Sequence, residues 1–464
     1  YRLHSALSTA PDNHWSGRIA LDGYRSRWDA TDQIPERAVR SGAISRNGFI
    51  DPDLGGDSSR WSLNGSYAHG GWSANLYAIR YDFDLYSNFT YLLDDPIDGD
   101  QFHQFDRRNL YGFRISHDSQ HQLLNRDLTI TLGADSRYDD IKDVGLEKTA
   151  ARALVAPVRN DQVRQRSLGT FVEAQWQATE RLRLQGGLRY DAMDHDVSAL
   201  NAENSGSGRD HVISPTLNLA WRLRDTLELY ANWGRGFHSN DVRGVNLTID
   251  PASGDPAQGL GLFAKSDGAE IGLRYEQGRS FNAAATLFWL DLENELVFVG
   301  DAGGTEVNGA SRRYGLEVSS FWQVTEWLAA NLDYTRTRGR FREDDGEGRY
   351  IPGAIDNTVS LGLFAQWNNG LGASARLRHL SEPPLTGDNS VRGDASTVAN
   401  VGISYERRSM RLRLDLFNLF DSEASDIAYF YSSRLPGEPA EGVEDVHSHP
   451  LMPRTLRASL TWTY

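Results

Sequence analysis

Cysteine is absent from all 464 residues, so neither a disulfide nor a thiolate metal site holds this chain together. Long hydrophobic runs are missing as well. With 24% charged residues and a mean hydropathy of −0.53 there is no stretch of about 20 apolar residues, and a helical membrane span is excluded. Basic excess is lacking: a net charge of −15 argues against a nucleic-acid partner, because phosphate binding draws on clustered Lys and Arg. The start, YRLHSALSTA, has no initiator Met and no basic-then-apolar leader, and reads as a mature or truncated product. No Pro-rich linker, composition break or low-complexity block divides the chain, so one domain over 1–464 is expected. There is no HExxH, no GxSxG, no P-loop and no GxGxxG between a strand and a helix, so neither an enzyme nor a cofactor is expected.

What is present is alternation. In RLRLQGGLRYD (181–191), Leu182, Leu184, Leu188 and Tyr190 occupy one phase and Arg181, Arg183, Arg189 and Asp191 the other. Strand side chains alternate faces, so this segment has an oily face and an ionic one. Similar segments recur near 1–9, 15–28, 60–68, 71–84, 105–118, 126–140, 166–178, 181–191, 211–222, 226–238, 265–276, 281–294, 312–323, 327–338, 356–368, 371–381, 396–406, 411–420 and 455–464. That makes roughly 19 strands of about 10 residues, the length a tilted membrane-spanning strand needs.

Short connections (APDNH at 10–14, HG at 69–70, ATE at 178–180, RLRDT at 222–226, NNG at 368–370, ERRSM at 406–410) alternate with long ones such as 29–59, 141–165, 239–264 and 421–454. Only the turn at 117–125 is longer than its class. Tight turns at one end and long loops at the other are how an up-and-down outer-membrane barrel is built. Strands running toward the short turns close their apolar phase on an aromatic: Tyr67, Trp176, Trp221, Tyr275, Trp322, Trp367, Tyr405 and Tyr464. Rings at one height on the oily face are expected to form the girdle at one membrane interface. Leu182, Leu184, Leu188 and Tyr190 then face lipid, and Arg181, Arg183, Arg189 and Asp191 a polar lumen. In an up-and-down sheet the first and nineteenth strands run the same way and cannot pair antiparallel, so a distorted seam is expected between them. An odd number of strands is expected before Tyr1, and three would bring the total to about 22, the size associated with plugged transporters.

Five segments resemble the TonB-dependent outer-membrane receptors, in that family's order: LELYANWGRGFHSNDVRG (227–244), GAEIGLRYE (268–276), FWLDLENELVFVGDAGGTEVNGASRRYGLEV (288–318), RLRLDLFNLFDSEASD (411–426) with its Asn-Leu-Phe-Asp, and the terminal strand PRTLRASLTWTY (453–464). The resemblance covers essentially the whole chain. It implies an all-β transmembrane barrel in the outer membrane of a Gram-negative bacterium, contacting lipid and acting as a monomer. It also implies energy-coupled uptake of a scarce ligand, an iron–siderophore or similar metal chelate by default, with a periplasmic TonB-type coupling protein acting through an N-terminal plug. Neither a plug nor a coupling box is recognisable here. The FRAP box typical of haem receptors reads FHSN at 237–240, and no NPDL box follows, which counts against haem. A passive porin and a surface adhesin or outer-membrane enzyme are the alternatives.

Candidate ligand residues lie at the long-loop end: His238, Asn240 and Arg243 at the head of one loop, and Tyr429, Tyr431, Arg434, His447 and His449 in the late loop. Their imidazoles, rings and fixed positive charge suit an anionic chelate, although such groups also tie loops together. DDPIDGD (94–100) and EDDGEGR (343–349) read as acidic loop tips before they read as cation sites, and no metal site is expected. The N-x-T sequons at Asn88 and Asn246 carry no weight in a bacterial outer membrane.

Overall fold

The computed structural model describes residues 1–9, 15–299, 304–344 and 346–463. Nineteen strands form one sheet in which sequence neighbours pair antiparallel, from Arg2–Ser8 to Thr455–Trp462. Each coincides with one of the alternating segments, because period-two alternation is a local property that survives whatever the rest of the chain does. Among the described residues Arg2–Ser8 pairs only with Trp15–Asp29 and Thr455–Trp462 only with Met410–Phe417. Among the described residues no pairing joins these two strands, as the parity argument requires.

The loop after Trp15–Asp29 and the loop before Thr455–Trp462 meet in a second, three-stranded sheet of Ile34–Pro35, Val443–Pro450 and Ser425–Ser433. Laid flat, the wall strands carrying those loops would stand about 80 Å apart at ~4.8 Å per strand. They touch, so the sheet curls round on itself into a barrel wall.

Two connections differ from expectation. The stretch 141–165 is not a loop: Arg126–Ala150 and Ala153–Gln177 run on to a two-residue turn at Ala151 and Arg152, whose φ angles are 46° and 64°. The connection at 117–125 is equally tight, because Phe102–Leu123 and Arg126–Ala150 are joined only by Leu124 and Asn125 at φ 53° and 59°. Two positive φ angles in succession match the right-handed twist of a hairpin. At the corresponding turn Gly70 and Gly71 adopt φ 56° and 84° without the steric cost that side chains carry there. Register shifts at Ile141/Val144, Leu146/Glu147 and Lys148/Thr149 interrupt the alternation in the stretch 141–165, so the continuing ladder leaves no hydrophobic period to read. APDNH (10–14) and Tyr464 lie outside the described residues.

The register gathers the remaining aromatics into one row near the short turns. Trp176 pairs with Leu128 and Leu184, Trp221 with Leu182 and Leu229, Tyr275 with Leu227 and Ala283, Trp322 with Phe281 and Ala330, and Tyr405 with Leu371 and Leu412. Tyr67 lies between Gly17 and Ala74, and Trp367 stacks on Trp327 at 5.6 Å. The opposite phase is ionic: Arg189 grips Asp135 at 2.7 and 2.9 Å and Asp191 at 2.6 Å. This ionic phase is the inner one. The one-turn helix Val242–Val245, from a loop two strands further on, reaches back across it, and Val242 and Leu262 pack on Val163, Met193, Val197 and Val212, side chains that share its phase.

Candidate functional site

The late loop is built around His447. Its imidazole is fully buried and stacks on Tyr431 with 3.7 Å between ring centres. The Asp445 carbonyl lies 3.0 Å from Nδ1 and can accept only if Nδ1 carries the hydrogen; Nε2, 2.7 Å from the Ser433 hydroxyl, then accepts. Burial pushes its pKa down to about 4, outweighing the Asp445 carbonyl that favours the protonated ring. A ring satisfied on both nitrogens is a fastener of the small sheet.

His449, two residues on, sits part-exposed with Nδ1 2.8 Å from the Asp426 carboxylate. Tyr429, across the ladder from His447, remains exposed. Arg434 is a clasp: its backbone exchanges hydrogen bonds with Thr90 and Leu92 at 3.0 and 3.2 Å, and its Nε donates to the Glu438 carbonyl. In the other loop, His238 is exposed at the end of Leu227–Ser239. Asn240 is buried and donates to the Gly261 carbonyl at 2.5 Å. Arg243 is buried beside Asp241, 3.0 Å from Nε to both carboxylate oxygens. Burial alone would raise the Asp241 carboxyl; the Arg243 guanidinium and amide outweigh it and hold it near 2. The eight candidates therefore divide by exposure. His238, Tyr429 and His449 face open space, while Asn240, Arg243, Tyr431, Arg434 and His447 carry the loops.

Sequence reasoning missed the residues that bring these loops together. Arg37, on the short helix Glu36–Arg40, donates to both Glu438 oxygens at 2.8 Å and to the Ser433 carbonyl at 2.9 Å, while its backbone N–H reaches Asp445 at 2.7 Å. Asp32 accepts from the Asn88 amide at 2.9 Å, and Asp51 from the Asn88 and Gln101 side chains at 3.1 and 3.0 Å. Burial drives the Asp32 carboxyl up to about 6, against the pull of the Asn88 amide and the Ser87 hydroxyl. Partners some 400 positions apart leave no local sequence signal. Arg37→Ala strands two carboxylates in a half-buried clasp and is expected to cost the clasp about 2–4 kcal/mol. That loss should be read as faster hydrogen exchange at Leu435 and Val446, with the wall strands unchanged.

The acidic loop tips are committed to their own backbones. Asp100 accepts from the amides of Leu93, Asp94 and Asp95 and from Thr90, and Asp95 accepts from Ile97 and Asp98. Asn246 ties its loop to the Gly206 carbonyl. Among the described residues no three His, Asp or Glu side chains are grouped to hold a metal ion.

Comparison with known proteins bears on what this rim serves. The family model for the TonB dependent receptor-like β-barrel matches residues 4–419. The rhizobactin receptor of Rhizobium meliloti strain 1021 is 23% identical over 323 residues, which is 63% of this chain and 42% of that receptor. The chain thus spans less than half of that relative's length. The ferric yersiniabactin uptake receptor FyuA of Yersinia pestis superposes with a TM-score of 0.75 at 15% identity, over 99% of this chain and 70% of that one. The unliganded ferric citrate transporter FecA gives 0.76 at 14% identity, over 99% and 69%. At such identities the likeness to these two structures is one of fold.

Proposed function

The chain belongs to the TonB-dependent receptor β-barrel family, and on that premise we propose that it is the outer-membrane wall of a receptor that takes up a scarce ligand, an iron–siderophore or similar metal chelate, with energy supplied through a plug by a periplasmic TonB-type protein. The observation that carries this reading is the division of the wall into an outer, mainly apolar phase and an inner ionic one, with loops folded over its outer mouth. An ionic inner face suits a polar plug, and a mouth narrowed by packed loops suits capture of one ligand better than free diffusion. The relatives are a rhizobactin receptor, a ferric yersiniabactin uptake receptor and a ferric citrate transporter by name, which supports a ferric chelate as cargo.

In this reading Tyr67, Trp176, Trp221, Tyr275, Trp322, Trp367 and Tyr405 sit at the periplasmic membrane interface. His238, Tyr429 and His449 make first contact with ligand, through imidazole donors and a ring face, and the five packed residues hold them in place. The test is transport. Cells lacking the full-length gene are offered radiolabelled iron as ferric rhizobactin, ferric citrate or ferric yersiniabactin. Uptake of one chelate is expected to fall to background, and to fall equally in wild-type cells when a protonophore removes the energy source. Uptake that persists with the protonophore, together with open conductance of the full-length protein in planar bilayers, would instead mark a passive channel.

A further inference from the structure

One patch of the wall is charged where the lipid-facing phase should be apolar. On Ser311–Gln323 the outward row passes from Trp322, Val318 and Leu316 to Tyr314 and Arg312; opposite it on Leu328–Phe341, Leu332 and Tyr334 give way to Arg336, Arg338 and Arg340. The neighbouring Arg313 has the other phase and bonds Glu295, so the Arg312 row points outward. From Trp322 to Tyr314 is about 27 Å of strand, or about 20 Å of height at a ~40° tilt, which brings Arg338 and Arg340 to the outer edge of the ~25 Å apolar band.

There Arg312, Tyr314, Arg338, Arg340, Arg349 and Tyr350, with Arg342, line one depression of about 440 Å³. Arg312 is held by Asp291 at 2.6 and 2.7 Å and lies over Trp289; Arg340 lies 3.7 Å above Tyr350 and 3.9 Å from Asp356. Among the described residues those two contacts are the cluster's ion pairs, so five guanidiniums converge on the two carboxylates of Asp291 and Asp356, and Asp291 feels Arg342 as well as Arg312. Asp344, on the adjoining loop, is turned onto the amides of Gly346 and Gly348.

We infer that this depression binds a phosphorylated lipid headgroup of the outer leaflet, an inference that rests on the membrane-barrel reading above. Planar guanidinium forks match phosphate oxygens bidentately, and Arg rather than Lys is the residue that does so. Beneath Tyr314 and Arg338 the outward row passes Leu316, flanked by Leu287 and Arg336, and continues through Val318 and Tyr334 to Leu332; the acyl chains of the same molecule would run along it, with Arg336 within reach of the headgroup. A free phosphate would use only the upper half.

Native mass spectrometry of the full-length receptor in detergent, titrated with diphosphoryl lipid A, tests this. Arg338→Ala/Arg340→Ala is expected to weaken binding about tenfold or more, and Arg338→Lys/Arg340→Lys to recover part of the loss. Arg349→Ala, on a loop outside the wall ladder, should weaken binding several-fold without touching barrel assembly. Dephosphorylated lipid A should bind the wild type no better than lipid A binds the double alanine variant. Unchanged lipid A affinity in these variants, in protein whose heat-modifiable mobility shows a folded barrel, overturns the headgroup site alone. Displacement of lipid A by millimolar inorganic phosphate overturns the lipid as the source of the anion. Failure of the wild type to insert into vesicles overturns the barrel reading itself.

Discussion

Leu217→Arg is expected to destabilise the barrel in a lipid bilayer by about 2–4 kcal/mol, whereas Asn218→Arg should change it by much less. Leu217 lies four residues above Trp221 on the outward phase, paired with Gly186 and Trp233. That is about 10 Å above the interface, close to the middle of the apolar band. An arginine there meets acyl chains. Asn218, in a row with Asn232 and Gln185, meets the hydrated inner side. Reversible denaturant unfolding of the two variants in lipid vesicles measures the difference. Equal destabilisation would mean that the two phases do not separate lipid from water.

The second large effect is expected at His447. His447→Ala removes a fully buried ring that stacks on Tyr431 and bonds two partners, and should cost the small sheet about 3 kcal/mol. Acid should act on the same ring. Its folded-state pKa of about 4 is below the ordinary 6.5, so its contribution is complete above pH 6.5 and is lost as pH falls toward 4, with a limit of about 3 kcal/mol. Asp32, in the loop that supplies Ile34 and Pro35 to this sheet, works oppositely. Its carboxyl, raised to about 6, stabilises below pH 4 and that contribution is lost as pH rises through 6. Between pH 7 and 5 the two largely offset each other in the wild type. Asp32→Asn should therefore unmask a steep acid loss of protection at Ser433 and Val446 in hydrogen exchange, and adding His447→Ala should flatten it. A profile identical in all three proteins would show that neither group titrates within the assembly. Because His447 is a fastener, ligand affinity is best read on His449→Ala, which leaves the sheet intact.

The two histidines show how far one chain of letters reaches. They stand two apart on Val443–Pro450 and so share a face, which is why HSHP suggested a pair. Tyr431 covers one and Asp426 flanks the other, and both coverings depend on Ser425–Ser433 folding back across the ladder. Similarly, Asn240 and Arg243 have the composition of a binding loop, but Gly261 and Asp241 occupy them.

The wall itself was legible residue by residue. Its nineteen strands, the division of each into two phases and the unpaired first and last strands follow from period-two alternation and from the parity of an up-and-down meander, which neighbouring residues specify among themselves. Which loops meet was decided only in three dimensions. Arg37 finds Glu438 and Ile34 finds Ser448 because the closing wall carries two distant loops to one place, a consequence of curvature accumulated over many strands. The ladders that continue through 141–165 were hidden for a local reason. Loops cover one face there and bury Leu146 and Val163, but register shifts at Ile141/Val144, Leu146/Glu147 and Lys148/Thr149 keep the apolar residues from recurring at every second position.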